Sequence, residues 1–522
     1  MNDKTQSLLP PFAWSIAAGL LGARLLIYAF TGGANPLHGD EYYFLACGQH
    51  LAWGYVDHPP LVPFLARLTD VLLGTSAYAM RFVPFLAGCL SIALTMLLAR
   101  ELGGGLRAQG LAGLAVLVGP VFLRTVSTFC IPAVEPVFWL GATVLTVRLL
   151  RTGDARWWLA VGVVAGLGLL TKHLMLFWGA GLVVGLLATP ARREFRSPWL
   201  WLGGALALAM LLPHLYWQYA NDWPTLEFIR AMRDAYAVHE PPAMLLPAQL
   251  LYLTPAAALL WGPGLVWGFR QLPPALRAVA FIAPVTFVLL LVTGGKPYYF
   301  APAAPILFVF GGLFWERRAD ATGKVFGLRG TVAALAGFGL LLFPVASPVL
   351  PLPMATSYVK AVTGGVVPPH EILDEFHAGY GYREQYEAAL DIYGRLSPEE
   401  QAQCLYLANN FSSAGVADLL RRDTGGPPPA SGHMNYFLWG LPPDRGEVAI
   451  ACSYSEEVLK ALYREVEVAA VVHAPLARHS EQERALYLCR GLKHDLDAVW
   501  PYFRNYSNYR AAPPGLVDRL SE

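Results

Sequence analysis

The stretch Phe326–Leu350, FGLRGTVAALAGFGLLLFPVASPVL, carries one charged residue, Arg329, in 25 positions. A soluble fold interrupts its apolar runs because every surface element shows one face to water, whereas about 20 largely apolar residues are what a bilayer crossing requires. Trp199–Pro213, WLWLGGALALAMLLP, repeats the pattern with no charge at all. The whole chain agrees: of its 522 residues 55% are hydrophobic and 14% charged, against roughly 25% charged in ordinary soluble domains. Lipid is the solvent for which this sequence is suited.

Working outward from these runs, apolar segments of crossing length fall at about 12–31, 81–100, 108–123, 135–150, 156–171, 174–189, 199–219, 247–268, 276–293, 300–316 and 329–349, which predicts about eleven spans. The first, Pro11–Phe30, has only Lys4 ahead of it and no small-residue cleavage site after it, so it reads as a retained span rather than a secretory signal. With the N-terminus inside, the cytoplasmic connections hold Arg100 with Arg107, Arg151 with Arg156, Arg192 with Arg193 and Arg196, Arg270 with Arg277, and Arg317 with Arg318, Lys324 and Arg329. The opposite connections are poorer in Lys and Arg, as the positive-inside rule asks. An odd number of spans puts everything beyond residue 350 outside.

Composition changes at that point. From Pro351 the long apolar runs stop, and Glu384–Glu400 and Ser453–Glu467 mix charge with apolar residues as soluble helices do. Short strand-like runs alternate with them at Gln403–Leu407, Val448–Ala451, Val466–Val472 and Ala485–Leu488, so 350–522 reads as a small extracytoplasmic α/β domain after a membrane domain at 1–349. Two outer loops within the membrane domain, at about 32–80 and 221–247, exceed ordinary connections and are expected to be functional. Glu41–Trp53 in the first reads as a short helix lying along the membrane surface.

Net charge is +1, with no Lys/Arg run of the kind that tracks nucleic-acid phosphates. Cys47, Cys89, Cys130, Cys404, Cys452 and Cys489 show no zinc spacing; the last three permit a disulfide but read better as buried thiols. No repeat or matched pair of broken spans marks an inverted-repeat transporter.

Chemistry concentrates on the outer side. His38-Gly39-Asp40-Glu41 follows the first span, and Asp57-His58-Pro59 comes shortly after. A suitably placed carboxylate there takes the proton of an acceptor hydroxyl; equally, Asp40 and Glu41 can simply cap a following helix. Glu135 opens a span, where ionisable groups are costly and point to function, or serves as an interfacial acid at a helix start. Lys172 and His173 split a long apolar run on the same side, and a cation there either neutralises phosphate or snorkels to the interface. Lys296-Pro297-Tyr298-Tyr299 offers a point charge and two hydroxyls to a phosphate, although interfacial tyrosines are also ordinary belt residues.

In this order the pieces resemble glycosyltransferase family 39, the group of C-type membrane glycosyltransferases that includes protein O-mannosyltransferases and lipid A aminoarabinose transferases. The resemblance is carried by Asp40-Glu41, Asp57-His58-Pro59, Glu135, Leu169–His173 and Lys296–Tyr299, and covers most of 12–349. The tail element Pro429–Gly440, PASGHMNYFLWG, resembles that of bacterial members of the group, and by itself reads as a structural turn with packed aromatics. The resemblance implies a C-type fold, a polyprenyl-phosphate sugar donor, an acceptor hydroxyl and inversion at the anomeric carbon. It makes Asp40 the base or its partner, with Glu41 assisting the acceptor, and gives the donor phosphate to His58, Lys172, Lys296, Tyr298 and Tyr299. Asp57, Glu135 and His173 become acceptor or supporting residues. His58 stands where lipid A-modifying relatives have lysine. No cofactor is required; a divalent metal bridging Asp40, Glu41 or His58 to phosphate is compatible with the residues. The expected partners are a glycolipid, polysaccharide or protein acceptor and the lipid bilayer, in a bacterial cytoplasmic membrane, and not nucleic acid. The rival readings are a transporter or lipid flippase, and a scaffold whose tail is a binding module.

Overall fold

The computed structural model describes residues 9–239, 242–443, 445–507 and 515–521, so residues 240–241 of the second long loop lie outside the described residues. The chain folds as two compact units: Met1–Gly32 with Arg81–Tyr216 and Tyr236–Val349, and Gly33–Met80 with Trp217–Ala235 and Leu350–Glu522.

The first unit is helical, and each of the eleven apolar segments falls on helix. Among the described residues six helices are long and apolar enough to cross a membrane: Trp14–Thr31, Ala77–Glu101, Ile131–Thr152, Pro198–Ala220, Leu276–Thr293 and Phe326–Ala346. Two bent pairs, Met175–Leu187 with Pro190–Arg196 and Leu245–Tyr252 with Pro255–Gln271, raise the number to eight if each is one span. Leu106–Val118 and Trp157–Thr171 are apolar but shorter. At 13 residues the former is about 20 Å long, short of a hydrocarbon core about 30 Å thick.

Burial sorts these helices. Ile131–Thr152 has 72% of its apolar window inside the fold, whereas Trp14–Thr31 has 17% and Phe326–Ala346 22%, which leaves their Leu and Phe side chains for lipid. Small residues let helices touch where no hydrophobic force draws them together: a Cβ on Gly162 would strike the carbonyl of Gly203, and one on Gly203 the carbonyl of Trp158. Polar groups at helix ends are matched. The Glu316 carboxylate accepts from the N–H groups of Gly105, Arg107 and Ala108 at 2.6–3.2 Å, and Glu101 binds Arg148 and Arg151 at 2.7 Å each.

The second unit is built on a five-stranded sheet in the order β2-β1-β3-β5-β4, with β1 Cys404–Ala408, β2 Pro429–Ala430, β3 Val448–Cys452, β4 Tyr463–His473 and β5 Glu483–Leu492. Pairing is parallel at β2-β1-β3 and antiparallel at β3-β5-β4. The four strand-like runs of the sequence become β1, β3, β4 and β5; the two-residue β2 is too short to leave a pattern. All six cysteines are free thiols.

The first outer loop is part of this unit, and one expectation about it is corrected. The helix forms at Gly39–Gln49 and is buried from Glu41 through Gly48, so it cannot lie on a membrane surface. Its Tyr42 backbone is so close to the helix Phe411–Thr424 that a Cβ on Gly415 would touch it. The exposed apolar face belongs instead to Leu61–Leu73, where Phe64, Leu68, Val71 and Leu72 recur at helical spacing. That spacing, not aromatic content, marks an interfacial helix. The second outer loop is also largely helical, at Pro224–His239 and Pro242–Met244.

Candidate active site

Each unit gathers one set of the residues singled out from sequence. In the sheet-bearing unit the set centres on Asp40. His38 is the N-cap of its helix: the imidazole Nδ1 accepts the N–H of Asp40 at 3.0 Å, and the Glu41 carboxylate accepts the N–H of His38 at 2.8 Å. This reciprocal box satisfies two amides that a helix start otherwise leaves unpaired. Glu41 is fully buried, with its carboxylate on the cap. Asp40 keeps about half of its side chain exposed. Partial burial raises its pKa from the ordinary aspartate value, the Glu375 and Asp57 carboxylates push the same way, and His38 and Arg478 oppose them. A base of raised pKa holds a proton better once it has taken one.

His38 in turn meets the tail. Its Nε2 lies 3.2 Å from Glu375 Oε2, and Arg478 Nη2 lies 2.8 Å from Asp374 and 3.5 Å from Glu375. Burial disfavours the imidazolium, but the Asp40 and Glu375 carboxylates outweigh it and raise the His38 pKa. In the capped arrangement Nδ1 is an acceptor, so the proton of the neutral ring is on Nε2, the nitrogen that lies beside Glu375.

Asp57 is held by a second network. Tyr43 Oη donates to Asp57 Oδ1 at 2.9 Å, Asn435 Nδ2 reaches the same oxygen at 3.5 Å and also donates to Tyr43 Oη, and Asn435 Oδ1 accepts the N–H of Val56 at 2.9 Å. The loop between is pinned by Tyr55, whose hydroxyl bonds the Cys47 carbonyl and the Ala52 amide at 3.0 and 3.1 Å. The His58 side chain is wholly enclosed, with Nε2 3.6 Å from Asp57 and Nδ1 3.1 Å from the Pro59 carbonyl. Among the described residues no three His, Cys, Asp or Glu side chains are gathered as a metal ion would need. Asp40, Glu41 and His58 are aimed at different partners.

In the helical unit the turn Lys296–Tyr299 is shaped by its neighbours. Gly294, at φ 68°, ends the preceding helix in the left-handed region that glycine tolerates, and Pro297 opens the single turn Pro297–Phe300 with Lys296 as its cap. Gln249 donates to the Pro297 carbonyl at 3.0 Å. Lys172 Nζ then stands 3.6 Å from the ring centre of Tyr299, 5.7 Å from that of Tyr298 and 3.8 Å from the buried carboxylate of Glu135. Thus Glu135, Lys172, Tyr298 and Tyr299 come together, while His173 turns to His214, Nε2 to Nε2 at 3.0 Å. Adjacent imidazoles at that distance need opposite roles, one donating and one accepting. A cation flanked by phenol rings suits an anionic oxygen.

Sequence reasoning missed Tyr43, Asn435, Glu375, Arg478 and His214. Asn435 lies inside the PASGHMNYFLWG element, so the signal was present and its chemistry was not. Nothing local distinguishes Glu375 or Arg478 from other surface charges.

Residues 57–217 match the family model described as dolichyl-phosphate-mannose-protein mannosyltransferase. The chain is 28% identical over 315 residues to the undecaprenyl phosphate-alpha-4-amino-4-deoxy-L-arabinose arabinosyl transferase of Edwardsiella ictaluri, covering 55% of this chain and 54% of that one. It is 26% identical over 195 residues to the lipid A galacturonosyltransferase RgtD of Rhizobium johnstonii, covering 37% and 41%. The chain thus spans about half the length, or less, of these curated relatives. Among solved structures, ArnT from Cupriavidus metallidurans aligns in the apo state with a TM-score of 0.60, and bound to undecaprenyl phosphate with 0.58, each at 18% identity over 91% of this chain and 98% of that one. At that identity the shared property is the fold.

Proposed function

We propose, taking as premise the similarity to glycosyltransferase family 39 that the sequence elements and these matches both carry, that this chain moves a sugar from a polyprenyl-phosphate donor to an acceptor hydroxyl. The observation that carries the reading is Asp40: a half-open carboxylate of raised pKa on a capped helix start, more exposed than Asp57 or Asp70 of the same loop.

In this reading the Asp40 carboxylate takes the acceptor O–H proton as the acceptor oxygen attacks the anomeric carbon. The bond from that carbon to the phosphate oxygen breaks, and the carrier leaves as polyprenyl phosphate. Attack opposite the leaving group inverts the anomeric centre. Lys172, Lys296, Tyr298 and Tyr299 stabilise the charge growing on phosphate, with Glu135 holding Lys172 in place. A cation placed beforehand costs no reorganisation at the moment of transfer. No nucleotide takes part.

The orientation belongs to the proposal as well. Eleven crossings with the N-terminus inside place both long loops and the C-terminal domain on the extracytoplasmic face of a bacterial cytoplasmic membrane, where a glycolipid, polysaccharide or protein supplies the hydroxyl. The test is to incubate the protein in detergent with a panel of polyprenyl-phosphate sugars and follow release of bare carrier phosphate. Consumption of at least one donor, dependent on added acceptor, is expected; inertness toward all of them contradicts the reading.

A further inference from the structure

His38, the cap beside Asp40, and Asp57 each meet a residue more than 300 positions away in the same compact unit. Gly39 donates its N–H to the Ala378 carbonyl at 3.1 Å, and a Cβ at Gly39 would run into the Ser412 hydroxyl, so the helix start that carries Asp40 is seated directly on the tail. The cap holding that start is His38, whose far nitrogen ends on Glu375. Asp57 ends on Tyr43 and Asn435, and Asn435 uses its carbonyl on Val56 and its amide on Tyr43 and Asp57. A carboxamide can accept and donate at once; neither aspartate nor alanine can replace both halves.

We propose that Glu375 and Asn435 are positioning residues of the transfer reaction. Glu375 fixes the tautomer and plane of His38, and through that cap the placement of Asp40; Asn435 fixes Asp57 and the Tyr43 hydroxyl. The C-terminal domain is on this account the other half of the base's mounting rather than a separate binding module. The logic is that of the outer-shell partner of an active-site imidazole, which sets which nitrogen carries the proton. The inference rests on the glycosyltransferase reading.

The test uses the full chain in detergent with polyprenyl-phosphate sugar, comparing wild type with Glu375→Ala, Glu375→Gln and Asn435→Ala for kcat, donor KM and thermal midpoint. Glu375 is exposed, so its variants are expected to fold. Glu375→Ala should lower kcat about 10- to 100-fold, the scale of a misplaced catalytic group or a lost outer-shell partner, with donor KM within about twofold. Glu375→Gln, which keeps an acceptor oxygen beside Nε2, should recover most of the rate. Asn435→Ala should show the same loss in kcat; if it fails to fold, the Glu375 pair decides. Wild-type kcat in Glu375→Ala overturns the proposal, as does a loss that Gln does not rescue and that tracks the thermal midpoint. A wild type that consumes no donor overturns the glycosyltransferase reading and this inference together, whereas an active wild type with unaffected variants overturns only the inference.

Discussion

Lys172 serves two partners, and substitution separates them. Removing it leaves the Glu135 carboxylate buried without its cation, a change of the kind that costs about 3–5 kcal/mol. Lys172→Met is therefore expected to lower the thermal midpoint in detergent, and adding Glu135→Gln to restore most of it. The double variant should still bind donor at least about tenfold more weakly, roughly 1.4 kcal/mol, as titration with polyprenyl phosphate would read; wild-type affinity would make Lys172 purely structural. The pH dependence follows from His38 and Asp40. Both have pKa values raised from their ordinary ones, the cap needs a neutral imidazole, and the base needs an ionised carboxylate. Protonation removes both, so kcat should fall as pH drops, with its acid limb shifted up from that of an ordinary aspartate. A profile flat down to pH about 4 would contradict these assignments.

At the scale of the element, the helix Gly39–Gln49 shows how tertiary contacts overrode a local reading. Its aromatics suggested an interfacial helix, but Tyr42, Tyr43 and Phe44 are packed inside the unit, and the residue that allows this is Gly39. Gly39→Ala puts a methyl into Ser412 and is expected to destabilise by about 1–3 kcal/mol, the usual range for overpacking. Gly39→Ala with Ser412→Gly should regain part of that. The measurement is a thermal melt of each variant, and an unchanged midpoint in Gly39→Ala would show that the contact is not made. The shorter helices Leu106–Val118 and Trp157–Thr171 were legible as apolar runs, since hydropathy reports composition; where each run ends depends on contacts that composition does not contain.

On the scale of the whole molecule, the strands, the apolar helices and the polar tail could be read from the sequence because burial and lipid exposure leave periodic patterns. Asp40, Asp57, Glu135, Lys172 and Lys296–Tyr299 could be found because charge is scarce in an apolar chain. Glu375 and Asn435 could not, because their meaning lies in contacts across more than 300 residues, and neither could the inward turn of Glu41 and His58. The division into units was likewise hidden: Gly33–Met80 folds with Leu350–Glu522. Amides of Gly39–Gln49 and Phe411–Thr424 should accordingly open in one cooperative step in hydrogen exchange. Loop-like exchange at 39–49 beside a protected 411–424 would contradict that.

The central claim is that Asp40 removes the acceptor's proton, and its most direct measurement is the transfer rate of Asp40→Asn at saturating donor and acceptor. Asparagine preserves size and the backbone amide that His38 accepts from but cannot take up the proton. The expected result is a loss of about 10²- to 10⁴-fold in kcat, with donor affinity unchanged. Transfer by Asp40→Asn at the wild-type rate would contradict the account.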